Sequence, residues 1–213
     1  MLTLYHGTER DIGSRIIASR TFIKSLGDEH WLGDGIYFYE EKNYAFRWIY
    51  ISYSKKYPMC TPDIVNILKK YTVLAVDIIV AQERIFDLTK YEHKAQFDKV
   101  HIRSLEKIKN HKINITDGAV LNFMFHKMEF NKKYDLIKAM FIHEDNDISI
   151  TKTRLAYIPE TQYCVINKGI IENIRDINIS EDDLSMFSFA QHYNDKGNGR
   201  LIKYKPRRNI YKG

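Results

Sequence analysis

Apolar and polar positions along the chain alternate with strand and helix periods that change several times. Residues 2–5 read as a short strand that runs directly into His6-Gly7-Thr8. Ile12, Ile16 and Ile17 then recur at helical spacing, which predicts a helix to about Ser19. A Gly/Asp turn follows, with Gly27-Asp28 and then Gly33-Asp34-Gly35. Ile36-Tyr37-Phe38-Tyr39 is β-prone, and residues 40–53 read as a helix with Tyr44, Trp48 and Ile49 on or near one face. Pro58 and Pro62 break the chain, and residues 63–71 suit one or two helical turns.

The strongest strand is 72–80, β-branched and apolar enough to be expected at the centre of a sheet. Residues 90–112 read as a charged helix offering Phe97, Ile102, Leu105 and Ile108 as a buried stripe. A Thr116-Asp117-Gly118 signal opens a second helical stretch within 114–130. Strands are expected at 134–143, 153–157 and 162–166. No internal repeat is visible. The order is mixed, with no regular βαβ alternation, so the expected class is α+β.

Composition adds a location for the charge. The 213 residues carry 33 Lys+Arg against 27 Asp+Glu, a net +6. Residues 196–213 hold seven basic residues and no acidic one, so the body is left at −1. The reading is therefore a folded domain over 1–195 and a basic tail over 196–213, whose single sign of charge points to an anionic partner. At 44% hydrophobic and 13% aromatic the chain can bury a core, which excludes wholesale disorder. No apolar run approaches the roughly 18 residues of a membrane span, and the N-terminus lacks the marks of a secretion signal. The expected compartment is the cytoplasm. Cys60 and Cys164 are read as two buried free thiols, with no metal site.

There is no Rossmann glycine pattern, P-loop, nucleophile elbow or zinc-protease helix. Three other segments stand out: Leu4-Tyr5-His6-Gly7-Thr8, Gly33-Asp34-Gly35-Ile36-Tyr37-Phe38 and Pro159-Glu160-Thr161-Gln162-Tyr163-Cys164-Val165. Each has a plain explanation, as a structural histidine, a turn feeding a core strand and the exposed start of a hairpin strand. Together they suit a different role. A His-Gly pair sets a side-chain donor beside backbone without a Cβ, open to a planar ligand. A tyrosine on a neighbouring strand offers a face for stacking. Glu160 and Gln162, two apart on an extended strand, project to one side.

The first two segments resemble, position by position, the L-[WYF]-H-G-[TS] and G-x-G-[IL]-Y-F motifs of the ADP-ribosyltransferase superfamily. The branch is the diphtheria-toxin and poly(ADP-ribose) polymerase branch, known as the H-Y-E clade. The resemblance is specific over residues 2–48 and fair over 158–166. It implies a split, mixed β-sheet with helices around it, and an enzyme that uses NAD as substrate without a metal. It implies that His6 bonds the nicotinamide-side ribose and that Gly7, followed by Thr8, holds the carboxamide through its backbone. Tyr37 stacks on the nicotinamide, with Trp48 or Tyr44 on its other face; a core role for Trp48 stays open.

The third motif departs from the family pattern, because Gln162 stands where the clade has its catalytic glutamate. Three readings remain. Glu160 serves as the base with Gln162 holding ribose, or the acceptor needs little deprotonation, or the chain binds NAD without turning it over. The tail interleaves Lys203, Lys205, Arg207 and Arg208 with Tyr204 and Tyr211, which suits phosphates and unpaired bases. A solvated tail or an arm held by an acidic protein is the plainer alternative. Several bacterial members of the superfamily are toxins or anti-phage effectors that modify nucleic acid. The expectation is thus ADP-ribose transfer to nucleic acid, RNA ahead of DNA, in a toxin or phage-defence setting with a restraining antitoxin. The alternatives are transfer to a protein side chain, and a non-catalytic nucleic-acid-binding protein on the same scaffold.

Overall fold

The computed structural model describes residues 1–60, 63–108, 115–141 and 160–177. All named elements fall within Met1–Ile177, one of two units of the chain, the other being Asn178–Gly213. The expected strand at 153–157 and the tail residues Lys203, Tyr204, Lys205, Arg207 and Arg208 lie outside the described residues.

Strand β1 (Leu2–Glu9) carries the whole His6-Gly7-Thr8 segment rather than ending before it. Helix α1 (Arg10–Ser19) follows at once and closes on Arg20 in the left-handed conformation, φ 53°. Strand β2 (Ile36–Tyr39) leads into helix α2 (Lys42–Lys56). Helix α3 (Ile64–Lys70) starts at Asp63, whose side chain caps the Asn66 amide, and runs into β3 (Tyr71–Ile78). Then come β4 (Ile85–Asp87), α4 (Tyr91–Ile108) and α5 (Asp117–His126). Thr116 caps α5 by accepting from Ala119 N at 3.1 Å, as the sequence signal implied. Helix α6 (Phe130–Lys133), β5 (Leu136–Phe141), β6 (Glu160–Val165) and β7 (Ile171–Asp176) complete the order.

The seven strands form one mixed sheet in the order β4-β5-β6-β2-β1-β3-β7. The β4/β5 pair is parallel and the other pairs are antiparallel. The class is α+β, with helices packed around the sheet. The centre belongs to β2, not to β3, which lies next to the edge strand β7. All eight residues of β3 are nevertheless buried. Helices α1, α2 and α3 pack on it, so its apolar character reflects cover on both faces rather than centrality.

Pairing is uneven across the sheet. β1 pairs with β3 over every position from Leu2↔Ile78 to Glu9↔Tyr71, but with β2 only at Tyr5↔Tyr39. The sheet is thus split between β1 and β2. Side-chain alternation then sorts the two faces. Leu4, Phe38 and Val165 point into one core with Ile16 and Phe22. Ile137, Ala139 and Cys164 point the other way, into a second core with residues of α4 and α5 such as Phe97 and Met124. Helix α2 packs on this second face above β1, β2 and β3.

The buried stripe expected in α4 needs correction, whereas α1 ends at Ser19 as expected. In α4, Phe97 and Val100 are buried, but Ile102 and Leu105 are exposed. In α1, Gly13 and Ile16 face the sheet while Ile12 and Ile17 sit at the margin. The buried stripe of α4 is narrower than its apolar residues suggested, because only one edge of the helix packs on α5 and β4.

Candidate active site

The three singled-out segments lie on β1, β2 and β6, which are neighbours at the middle of the sheet. They are far apart in sequence, and antiparallel register brings them together: Tyr37 opposite Cys164, Tyr39 opposite Gln162, and Tyr5 opposite Tyr39. Tyr37, Tyr39, Glu160 and Gln162 therefore share the second face. They form a strip between α2 on one side and the α5 cluster on the other.

His6 bridges the split. Its Nδ1 lies 2.8 Å from the carbonyl oxygen of Tyr37. A carbonyl only accepts, so Nδ1 carries the proton and donates. Desolvation by burial lowers the His6 pKa, against the opposing effect of that hydrogen bond. The ring is thus neutral near pH 7, and its Nε2 is an acceptor. Phe22 and Phe38 fix the plane, with ring centroids at 5.2 and 5.6 Å.

Gly7 points the other way, toward α2. A Cβ there would stand 2.8 Å from Ile49 Cγ2 and 2.9 Å from both Ala45 O and Trp48 Cε3. The space freed by the missing side chain is filled by the helix, so the glycine first serves close strand–helix packing. This corrects the idea that it opens the chain to a ligand on that side. Thr8 is buried on the α1 side, where a Cβ on Gly13 would come within 3.2 Å of its methyl. The structure does not bring its side chain to the strip.

Tyr37 is a rigid, half-buried ring. Its hydroxyl donates to Gly33 O at 2.7 Å and accepts from Leu32 N at 3.0 Å. Burial raises its pKa far above the ordinary value, so it stays a neutral phenol. The turn that holds it is clamped by α5. Asp34 N donates to Asn122 Oδ1 at 2.6 Å, and Asn122 Nδ2 donates to Asp28 Oδ1 at 2.8 Å. His126 Nε2 lies 3.1 Å from Asp34 Oδ2. Burial acts to raise the Asp34 pKa, but the bonds from Gly27 N and His126 outweigh it and leave it lowered. Gly33 adopts φ +74°, a conformation that favours glycine.

Glu160 and Gln162 are both buried. Gln162 Nε2 donates to Glu160 Oε1, and Arg47 of α2 reaches Glu160 Oε2 at 3.3 Å. Glu160 is the first residue of β6, at the head of the strand rather than in an exposed turn. A buried carboxylate is costly without such partners. Tyr44, one turn before Trp48, is half-buried beside it. Burial raises its pKa first and the Glu160 charge second, and its ring is 6.4 Å from Tyr39. Trp48 is 39% exposed, packs over Gly7 and meets Tyr71 edge-on at 6.4 Å. Of Tyr44 and Trp48, the two candidates for the second stacking face, Tyr44 is the one beside the carboxylate.

Cys164 is buried and its thiol is pushed up to about 12 by burial, so it is inert. Cys60 is free and exposed, contrary to the expectation of two buried thiols. Among the described residues no group of three or more His, Cys, Asp and Glu side chains could hold a metal. Among them, too, no helix is long and apolar enough to cross a membrane. On α4, Lys94 is ion-paired with Asp98, so that helix is not a uniformly basic surface.

Sequence reasoning found the three motifs but not Arg47, Asn122 or His126. Nothing in the local pattern ties Arg47 to a residue 113 positions later.

Fold and site together define an α+β protein with a split sheet and, beside its central strand, a buried Glu–Gln pair met by the partly exposed Arg47. The chain is 36% identical over 191 residues to a protein of Methanocaldococcus jannaschii named "Uncharacterized protein MJ0359", covering 81% of this chain and 86% of that protein. It belongs to the family of that archaeal protein. No family model matches the chain. No solved structure matches it either.

Proposed function

We propose that this protein is an NAD-dependent ADP-ribosyltransferase that breaks the nicotinamide–ribose bond of NAD and transfers ADP-ribose to nucleic acid, RNA ahead of DNA. One observation carries the enzymatic part. Three motifs that resemble those of the H-Y-E clade, far apart in sequence, lie on adjacent strands β1, β2 and β6 around a split in the sheet.

The chemistry follows from the residues. When the C1′–N bond breaks, nicotinamide leaves with the electron pair and positive charge develops on the ribose. The locked Tyr37 ring orients the leaving group by stacking, with Tyr44 opposite. Neutral His6, on the Phe22–Phe38 side of the sheet, offers Nε2 as acceptor to a ribose hydroxyl that reaches into the split. Glu160 supplies negative charge near C1′ and takes the proton that the acceptor loses as its bond to C1′ forms. Gln162 orients that carboxylate and contacts ribose. These roles require no metal. The basic, tyrosine-containing tail supports nucleic acid as acceptor, and with it an intracellular toxin or phage-defence role under an antitoxin.

The test is incubation with labelled NAD and separate pools of RNA, DNA and protein. Label on RNA, lost with salt and on deletion of 196–213, is the expected result. Label on protein alone replaces the acceptor. Gln162 in the glutamate position favours one other reading, a non-catalytic NAD-binding relative, and absence of nicotinamide release with retained NAD binding would establish it.

A further inference from the structure

Arg47 lies on α2 between Tyr44 and Trp48 and balances the charge of Glu160. The exposures say more. The Arg47 side chain is 29% exposed and that of Glu160 only 5%. Arg47 is therefore the more accessible member of the pair, and the one a ligand from solvent can reach.

The pairing is also unfavourable to the chemistry. A carboxylate 3.3 Å from a guanidinium has its field largely cancelled for a third group beyond it. To stabilise a ribose cation, Glu160 has to be released from that partner. A phosphate is the natural competitor, because a guanidinium's forked donors match its oxygens and charge-assisted bonds of this kind are strong. The contact from Arg47 Nη1 to Glu160 Oε2 is long for a charge-assisted bond, at 3.3 Å. A diphosphate offers the better-matched partner.

We propose that Arg47 is the phosphate-recognising residue of this site, and that Glu160 and the substrate's diphosphate compete for its guanidinium. This rests on the NAD reading. Arg47 pairs with the carboxylate, a nucleotide diphosphate draws the cation toward itself, and the charge of Glu160 is less compensated as the same substrate arrives. A nucleoside without phosphate gains no contact with Arg47 and leaves the carboxylate paired.

Nicotinamide release is measured from NAD and from nicotinamide riboside, which has the same glycosidic bond and no phosphate, for wild type, Arg47→Lys and Arg47→Gln. Wild type prefers NAD. Arg47→Gln lowers kcat/KM for NAD about ten- to a hundredfold more than for the riboside, the scale of one charge-assisted hydrogen bond, and Arg47→Lys falls between. Equal losses on both substrates, or an unchanged preference, overturn the proposal and leave the NAD reading intact. Calorimetric binding of ADP is the arm independent of turnover. Wild type binds ADP, and Arg47→Gln, or Arg47→Lys if the glutamine variant does not fold, binds it more weakly. Unaltered ADP affinity, or no ADP binding by wild type, overturns the proposal. Failure of wild type to cleave either substrate defeats the NAD reading alone, and ADP then decides the role of Arg47.

Discussion

His6 Nδ1 donates to Tyr37 O across a strand pair that is otherwise held at one position, Tyr5↔Tyr39. A side chain thus supplies a link that the backbone does not. Burial keeps this imidazole neutral by lowering its pKa from the ordinary 6.5. The unfolded chain therefore binds a proton more readily than the folded one, and the stabilisation present above 6.5 is lost as the pH falls. Melting temperatures measured between about pH 7.5 and 5.5 are expected to fall more steeply for wild type than for His6→Gln. Parallel curves would remove the neutral imidazole from the account.

Tyr37 separates into a ring and a hydroxyl. Tyr37→Phe keeps the stacking surface but leaves Gly33 O and Leu32 N without the phenol. A loss of about 1–2 kcal/mol in urea denaturation is expected, with a raised KM for NAD. Tyr37→Ala removes the ring and is expected to abolish nicotinamide release in folded protein.

Gly118 tests the clamp between α5 and the turn. Alanine is the better helix former by about 1 kcal/mol, yet a Cβ at this position would lie 1.8 Å from His30 O and 2.8 Å from Asp28 O. Both obstacles are backbone atoms. Gly118→Ala is expected to destabilise by about 2–4 kcal/mol in denaturant titration. Gly169→Ala, where the atoms within 4 Å belong to the Asn167 side chain, serves as the tolerant comparison.

The third motif can be divided by two substitutions read as kcat/KM for nicotinamide release. Glu160→Gln removes the charge and is expected to cost about a hundredfold or more. Gln162→Ala removes one hydrogen bond to Glu160 and is expected to cost about tenfold. The reverse order would make Gln162 the functional residue and Glu160 its support.

What was legible in the sequence had local causes. The β1 and β2 motifs, the Thr116 cap and helix α3 between Pro62 and β3 all follow from residues a few positions apart. The position of β3 was not legible, because an all-apolar strand records cover on both faces and not its rank in the sheet. Ile102 and Leu105 misled for a related reason: helical periodicity shows which residues share a face, but not how far the neighbouring helix α5 extends beneath it. Cys60 is similar, since apolar neighbours in sequence do not bury a thiol. Arg47, Asn122 and His126 take their meaning from partners 88 to 113 positions away. No short-range pattern contains them.

The split between β1 and β2 also divides labour. His6 and Gly7 belong to the three-strand half with β3 and β7, whereas Tyr37, Glu160 and Gln162 belong to the four-strand half with β4 and β5. Each half is a continuous ladder, and the joint between them is held by one described backbone pair, the imidazole link, α2 and the core shared by Leu4 and Phe38. A molecule that touches both halves at once acts as a strut across that joint. Its binding energy then registers as rigidity of the sheet itself, and substrate recognition and the cohesion of the fold become one equilibrium.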